Sequence, residues 1–191
     1  MNLLKQKILK DGCVFGDDII KVDSFLNHQI DVTLYNEIGK AFKERFSQYD
    51  ITKILTIEAS GIGLAAITAQ YFNNIPVVFA KKTESLNLDS DIYSSEVFSF
   101  TKNKSYKIMV SKKYINPNDK LLIIDDFLAN GKAILGMKEI IDQANATLVG
   151  AGIVIEKGFQ EGGSILRSMG IQVESLASIK SIKDGIITFN N

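Results

Sequence analysis

The chain has 191 residues, 46% of them hydrophobic and only two of them proline, which suits one domain with a full core and excludes a disordered linker. Lys plus Arg and Asp plus Glu both number 22, so the formal net charge is zero and nothing in the bulk electrostatics favours nucleic acid or an anionic membrane. One cysteine excludes an internal disulfide, the lone His28 offers no zinc site, and neither a signal-peptide core nor a membrane-length apolar run is present, so a soluble cytoplasmic protein is expected.

Leu3, Leu4, Ile8 and Leu9 fall at helical spacing, and Gly12 marks a stop. Cys13, beside it, reads as a packing residue rather than a nucleophile. Residues 14–31 are too polar for a core strand and too apolar for a plain linker. By themselves they favour a short hairpin packed on the domain; the alternative is a lid with Ile20 and Phe25 as apolar walls and Asn27 offering an amide. Asp31 caps a helix through Phe46, with Leu34, Ile38, Phe42 and Phe46 on one stripe. Lys53–Ile57 is the first core strand. Glu58, Ala59, Ser60 and Gly61 follow it as a small-residue turn suited to an anion, and the next helix runs to about Phe72. Pro76–Ala80 is a second buried strand with Lys81 and Lys82 at its carboxyl end. Glu84–Phe100 reads as a mobile active-site flap, ending in strands near Val97–Phe100 and Tyr106–Val110.

The most informative stretch is Leu121 to Ala133, LLIIDDFLANGKA. Its opening apolar run lacks alternation, as a strand buried on both faces does. Asp125 and Asp126 stand at the carboxyl end of that strand, and from about Lys132 an amphipathic helix starts. Ligands of open α/β sheets bind outside strand carboxyl ends. The turn and the first helical turn offer backbone N–H groups to a phosphate, and the two acids accept hydrogen bonds from a sugar diol or hold an intervening metal ion. Diol plus phosphate describes a ribose phosphate. After a helix to about Asn145, Ala146–Ile155 is another buried strand with Glu156 and Lys157 at its end. Gly162 and Gly163 precede a short helix closed near Gly170. Val173–Ile179 and Gly185–Phe189 finish as strands about an Asp184-Gly185 turn. No internal repeat or second domain is evident.

Alternating strands and helices, with polar residues at strand ends, predict an α/β fold on a mostly parallel, doubly wound sheet. One ligand accounts for all the strand ends: a pyrophosphate at Ser60, Gly61 and Lys81 or Lys82, a ribose over Asp125 and Asp126, and a 5′-phosphate at the central turn. That ligand is phosphoribosyl diphosphate. Lys157 then stands where an incoming base lies, and a donor-only lysine favours a keto oxygen, hence an oxopurine over adenine.

The segment IIDDFLANGKA resembles the diphosphoribose-binding signature of the type I phosphoribosyltransferases. IKVDSFLNHQID, TIEASGI, FAKK and IVIEKGFQ followed by VESLASI extend the resemblance from Gly12 to the end of the chain, toward the bacterial xanthine phosphoribosyltransferases. The resemblance implies the type I fold over residues 1–191 as a single domain, with a hood from about residues 12–32 and the C-terminal segment. It places Ile20, Asn27 and Lys157 at xanthine, which turns the packed hairpin into a lid. It places Ala129, Asn130, Gly131, Lys132 and Ala133 at the 5′-phosphate. It further implies Mg2+ carried by phosphoribosyl diphosphate, with no residue assigned as a metal ligand, and a homodimer with no nucleic-acid or membrane partner.

Two departures from the family pattern stand out. Many relatives place hydroxyl residues on both sides of the turn glycine, where this chain has Asn130 and Ala133, so backbone N–H groups carry more of the phosphate binding. Hypoxanthine-guanine relatives have an acid at the position of Ala129; here only Glu96, on the expected flap, stands as a weak candidate for a general base. Besides a weaker third, phosphoribosyl transfer to a pyrimidine, two alternatives stay open at this point. One is the same reaction on guanine or hypoxanthine. The other is a non-catalytic regulator that senses phosphoribosyl diphosphate, for which the sequence shows neither a DNA-binding extension nor a basic surface.

Overall fold

The structure, a computed structural model, describes residues 1–82, 91–99 and 104–190. Among these, β3 (Lys53–Ile57), β4 (Val77–Ala80), β7 (Lys120–Leu128), β8 (Thr147–Lys157), β9 (Val173–Lys183) and β10 (Ile186–Phe189) make the central sheet. Its order is β10-β9-β8-β7-β3-β4, parallel throughout except for β10, which returns antiparallel to β9. The return is a tight turn in which Asp184 and Gly185 both have positive φ, 50° and 76°.

Helices cover both faces, which is why the strands read as unbroken apolar runs. Leu122 and Ile124 of β7 pack into a core shared with α1 (Asn2–Asp11), α2 (Val32–Arg45) and α3 (Ser60–Tyr71). Leu121 and Ile123 alternate to the other side, into a core with α4 (Lys132–Gln143) and α5 (Gly162–Ser168). That second core is completed by an antiparallel hairpin of β5 (Ile92–Ser99) and β6 (Lys104–Ser111), which contributes Val97, Ile108 and Val110. Ile123 is fully buried at the centre. Ile123→Ala is expected to lower the unfolding free energy by about 2–5 kcal/mol in a denaturant titration; a loss well under about 1 kcal/mol would mean that this face of the sheet is loosely packed.

Several expectations shift. The central strand does not stop before the acids: β7 runs through Asp125 and Asp126 to Leu128, because β8 is long enough to keep pairing it at Asp125↔Ile153, Phe127↔Ile155 and Leu128↔Glu156. In α1 only Leu4 and Ile8, one helical turn apart, are buried, while Leu3 and Leu9 face outward. Cys13 is exposed rather than packed. The expected flap splits: residues 84–90 and residue 100 lie outside the described residues, and β5 begins at Ile92, well before Val97. Residues 14–31 do hold a hairpin, β1 (Cys13–Phe15) with β2 (Ile19–Lys21), followed by a π-helical turn at Asp23–Asn27. Asp31 caps α2 by accepting the Leu34 N–H at 3.0 Å.

Candidate active site

The site lies at the carboxyl edge of β7, between the hairpin β5–β6 and the N-terminal segment. Because successive residues of a strand point to opposite faces, Asp125 and Asp126 straddle it. Asp125 is 5% exposed. It feels Lys82, and its charge reaches Tyr106 of β6. Asp126 lies on the other side, where its Oδ2 accepts from Asn27 Nδ2 at 3.4 Å and its charge reaches Tyr35 of α2. Backbone N–H groups steady both carboxylates: Asp126 N donates to Asp125 Oδ1 and Phe127 N to Asp126 Oδ1, each at 3.0 Å.

Burial, and then the neighbouring Asp126 charge, push the Asp125 carboxyl well above its ordinary range, against a smaller opposing pull from Lys82. Burial followed by the nearby acids also raises two phenols: Tyr106 upward through Asp125, and Tyr35 to about 12 through Asp126. Tyr35 donates its hydroxyl to the Leu26 carbonyl and so ties α2 to the π-helical turn that carries Asn27.

Immediately after β7 the chain turns through Ala129 and Asn130 to Gly131, whose φ of 76° and ψ of 0° place it in the left-handed region as the N-cap of α4. No side chain caps that helix, and the turn lines a cavity of 170 Å³. Residues 127–134 line it from the sheet side, Val97, Phe98 and Tyr106 from the hairpin. Lys132 and Ala133 open α4 at the cavity's rim.

The second small-residue turn also opens a helix, as Ser60 and Gly61 begin α3. Gly61 is obligatory there, since a Cβ would sit 2.0 Å from Thr56 Oγ1. The preceding Glu58-Ala59 peptide is cis. The two lysines part company. Lys81 exchanges backbone hydrogen bonds with Met109 at 2.9 Å and lines a cavity of 560 Å³ at the β4 edge, whose lining among the described residues includes no acid. Lys82 donates its backbone N–H to the Glu58 carboxylate and holds its Nζ 5.4 Å from the Tyr106 ring centroid, on the side of Asp125. Lys82 is a lysine whose charge reaches Asp125, and the sequence offered Lys81 or Lys82 there.

Lys157 ends β8, and its Nζ donates to the Asp18 carbonyl at 2.6 Å, joining that strand to the β1–β2 turn. Burial lowers its pKa, against the nearby Asp18 charge. Ile20 pairs with Val14 in the hairpin and is buried in the core on the α2–α3 face. Glu96 is exposed on β5, opposite Lys107. Tyr106 and Tyr35 carry no short motif, and only the tertiary fold brings them to the acids.

Two adjacent acids, a helix-opening turn that lines a small cavity, and Lys157 at the end of the neighbouring strand lie along the carboxyl edge of the sheet. A family profile described as the phosphoribosyl transferase domain matches residues 27–164, more than half of the chain. A xanthine phosphoribosyltransferase of Clostridium novyi is 64% identical over 191 residues, covering 100% of both chains. One from Ruminiclostridium cellulolyticum is 65% identical over 189 residues, covering 99% of each. The crystal structure of an adenine phosphoribosyltransferase from Rhodothermus marinus superposes with a TM-score of 0.74 at 20% identity, covering 93% of this chain and 99% of that one, a likeness of fold. With the type I fold, the matched domain and full-length relatives at this identity, the chain belongs to the phosphoribosyltransferase family, on the branch of the xanthine phosphoribosyltransferases.

Proposed function

We propose that the chain transfers the 5-phosphoribosyl group of 5-phosphoribosyl 1-diphosphate to xanthine, giving xanthosine 5′-monophosphate and pyrophosphate. The observation that carries this reading is the continuity of β7, which delivers two acids and then, without a break, the N–H-lined turn and the cavity beside it. Ala129–Ala133 take the 5′-phosphate, with the Asn130 amide and backbone N–H groups in place of the missing hydroxyls. Asp125 and Asp126 take the ribose hydroxyls. Ser60, Gly61 and Lys82 take the pyrophosphate. Lys157 donates to the 6-keto oxygen of the base, and Asn27 reaches the 2-oxo group. The hood of residues 12–32 covers the base.

In the reaction a purine ring nitrogen bonds to the anomeric carbon as the bond from that carbon to the pyrophosphate oxygen breaks. The bonding electron pair leaves with pyrophosphate, and the proton of the ring nitrogen is released to solvent as xanthine ionises. Positive charge grows on the sugar, where Asp126 and Asp125 stabilise it, and negative charge grows on the leaving group, where Lys82 faces it. Xanthine ionises readily among purines, so no dedicated base is assigned. Among the described residues no group of three or more His, Cys, Asp or Glu side chains stands together. Asp125 and Asp126 are the acids that would stand near Mg2+ carried on the substrate's own oxygens. When bound, that ion neutralises the diphosphate charge. Most of the acceleration comes from positioning.

The family resemblance carries a homodimer and a cytoplasmic location with it. No helix among the described residues is long and apolar enough to cross a membrane. The test is direct: the protein with Mg2+ and phosphoribosyl diphosphate is mixed with each nucleobase separately. Xanthine is expected to give the highest kcat/KM, guanine and hypoxanthine to lag well behind, and adenine to give no nucleotide. Equal turnover of hypoxanthine or guanine would return the substrate to the oxopurines at large, and no product with any base would leave a binding protein.

A further inference from the structure

The acid Glu156 lies outside the reacting groups, yet it is among the most completely engaged side chains of the chain. It stands at the end of β8, directly beside Leu128, the last residue of β7 before the phosphate turn. Its carboxylate is 5% exposed and accepts three side-chain hydrogen bonds. Two come from Arg167, Nη1 to Oε1 at 2.7 Å and Nη2 to Oε2 at 2.8 Å; the third comes from Ser175 Oγ. A buried carboxylate satisfied this fully is a fixed point of the structure.

What it fixes is α5. Gly163 and Arg167 are four residues apart on that helix and so share one face. Both meet the same carboxylate: Arg167 by its fork, Gly163 by an approach so close that a Cβ there would lie 1.9 Å from Glu156 Oε1. Two contacts a turn apart, together with the buried Leu166, set the rotation and height of this short helix. The adjoining Gly162 then meets the phosphate turn. Its N–H donates to the Ala129 carbonyl at 3.1 Å, and a Cβ on it would fall 2.2 Å from that oxygen and 2.5 Å from the Gly131 nitrogen. From the other side, a Cβ on Gly131 would lie 3.3 Å from Gly162 Cα and 3.5 Å from Leu166. The turn is therefore clamped backbone to backbone against α5, and α5 is gripped by Glu156.

We infer that Glu156, with Arg167 and Ser175, is a positioning group for the 5′-phosphate: it presses Gly162 onto residues 129–131 and holds their N–H groups at the spacing that a phosphate needs. This rests on the proposed role of that turn. It explains why Gly162 and Gly163 are both glycine: one position lets the helix approach the turn, the other lets it approach the acid. It also explains how a turn lacking hydroxyl side chains keeps its shape, since support comes from behind.

The test measures binding of xanthosine 5′-monophosphate, xanthosine and magnesium pyrophosphate by calorimetry, for the wild type, Glu156→Gln, Arg167→Met and the double variant. The ratio of nucleotide to nucleoside affinity isolates the 5′-phosphate from the base and ribose, so any disturbance at the adjacent Lys157 cancels. Displacing a binding loop by about an ångström costs on the order of tenfold to a hundredfold, and Glu156→Gln is expected to reduce the ratio by that much while pyrophosphate affinity is unchanged. The double variant should be no worse than the worse single one, as for two halves of one device. Should Glu156→Gln fail to fold, Ser175→Ala removes a single donor and should lower the same ratio by a smaller factor. An unchanged ratio in a folded variant, or an equal fall in pyrophosphate affinity, overturns the inference. A wild type that binds nucleotide no better than nucleoside overturns the phosphate role of the turn, and this inference with it.

Discussion

Converting both central acids to amides, Asp125→Asn with Asp126→Asn, is expected to reduce turnover by about two to four orders of magnitude, since each lost charge-assisted hydrogen bond costs roughly 1.5–3 kcal/mol. The fold should survive and gain stability at neutral pH. Asp125 is buried beside Asp126, and its folded-state pKa lies well above the ordinary carboxyl value. Between its unfolded and folded pKa values the native chain holds a proton that the unfolded chain has released. Stability from this group is thus fully present below the unfolded pKa and is lost as pH rises through the folded one. An amide at position 125 does not titrate, so the melting temperature of Asp125→Asn should fall less than that of the wild type as pH rises from about 4 to neutrality. Kinetics and melts at matched pH separate the two effects. Wild-type turnover in the folded double variant would remove the ribose role of the acids, while a steep loss of stability would mean that the carboxylates are structural.

The second large effect concerns the choice of base. Lys157→Ala should weaken xanthine, guanine and hypoxanthine together, by about ten- to a hundredfold in kcat/KM, because the 6-keto oxygen is common to all three. Its ammonium also holds the Asp18 carbonyl at 2.6 Å, so the same change releases the β1–β2 turn from β8. Selection among oxopurines requires a donor facing the 2-oxo group. Asn27 presents its amide beside Asp126, with a contact of 3.4 Å that is too long to be strong and leaves the donor available to a ligand. A site built to hydrogen-bond a substrate group rejects the analogue lacking it by several kcal/mol. Asn27→Ala should therefore narrow the xanthine-to-hypoxanthine ratio of kcat/KM by about tenfold or more. An unchanged ratio would assign the selection elsewhere. If kcat fell equally for every base, Asn27 would be serving Asp126 and the ribose instead.

Local chemistry made much of this legible from the residues alone. A strand buried on both faces is apolar along its run, so Leu121–Ile124 stands out, and Lys53–Ile57 less sharply because Lys53 and Thr56 interrupt it. Small residues mark the turns that open α3 and α4, so Ser60–Gly61 and residues 129–133 stand out as well. Asp31, Gly12 and Asp184-Gly185 mark their boundaries by capping and turn chemistry within a few residues of chain. Tertiary structure decided what depends on partners distant in sequence. The reach of β7 through its acids comes from the length of β8. The approach of Lys82 to Tyr106 and Asp125 comes from the pairing of the β4 end with β6 through the Lys81–Met109 bridge. The meaning of Gly162 and Gly163 emerges only where α5 is pressed between Glu156 and the phosphate turn, because a glycine retained for a close approach is identified by the atoms it approaches.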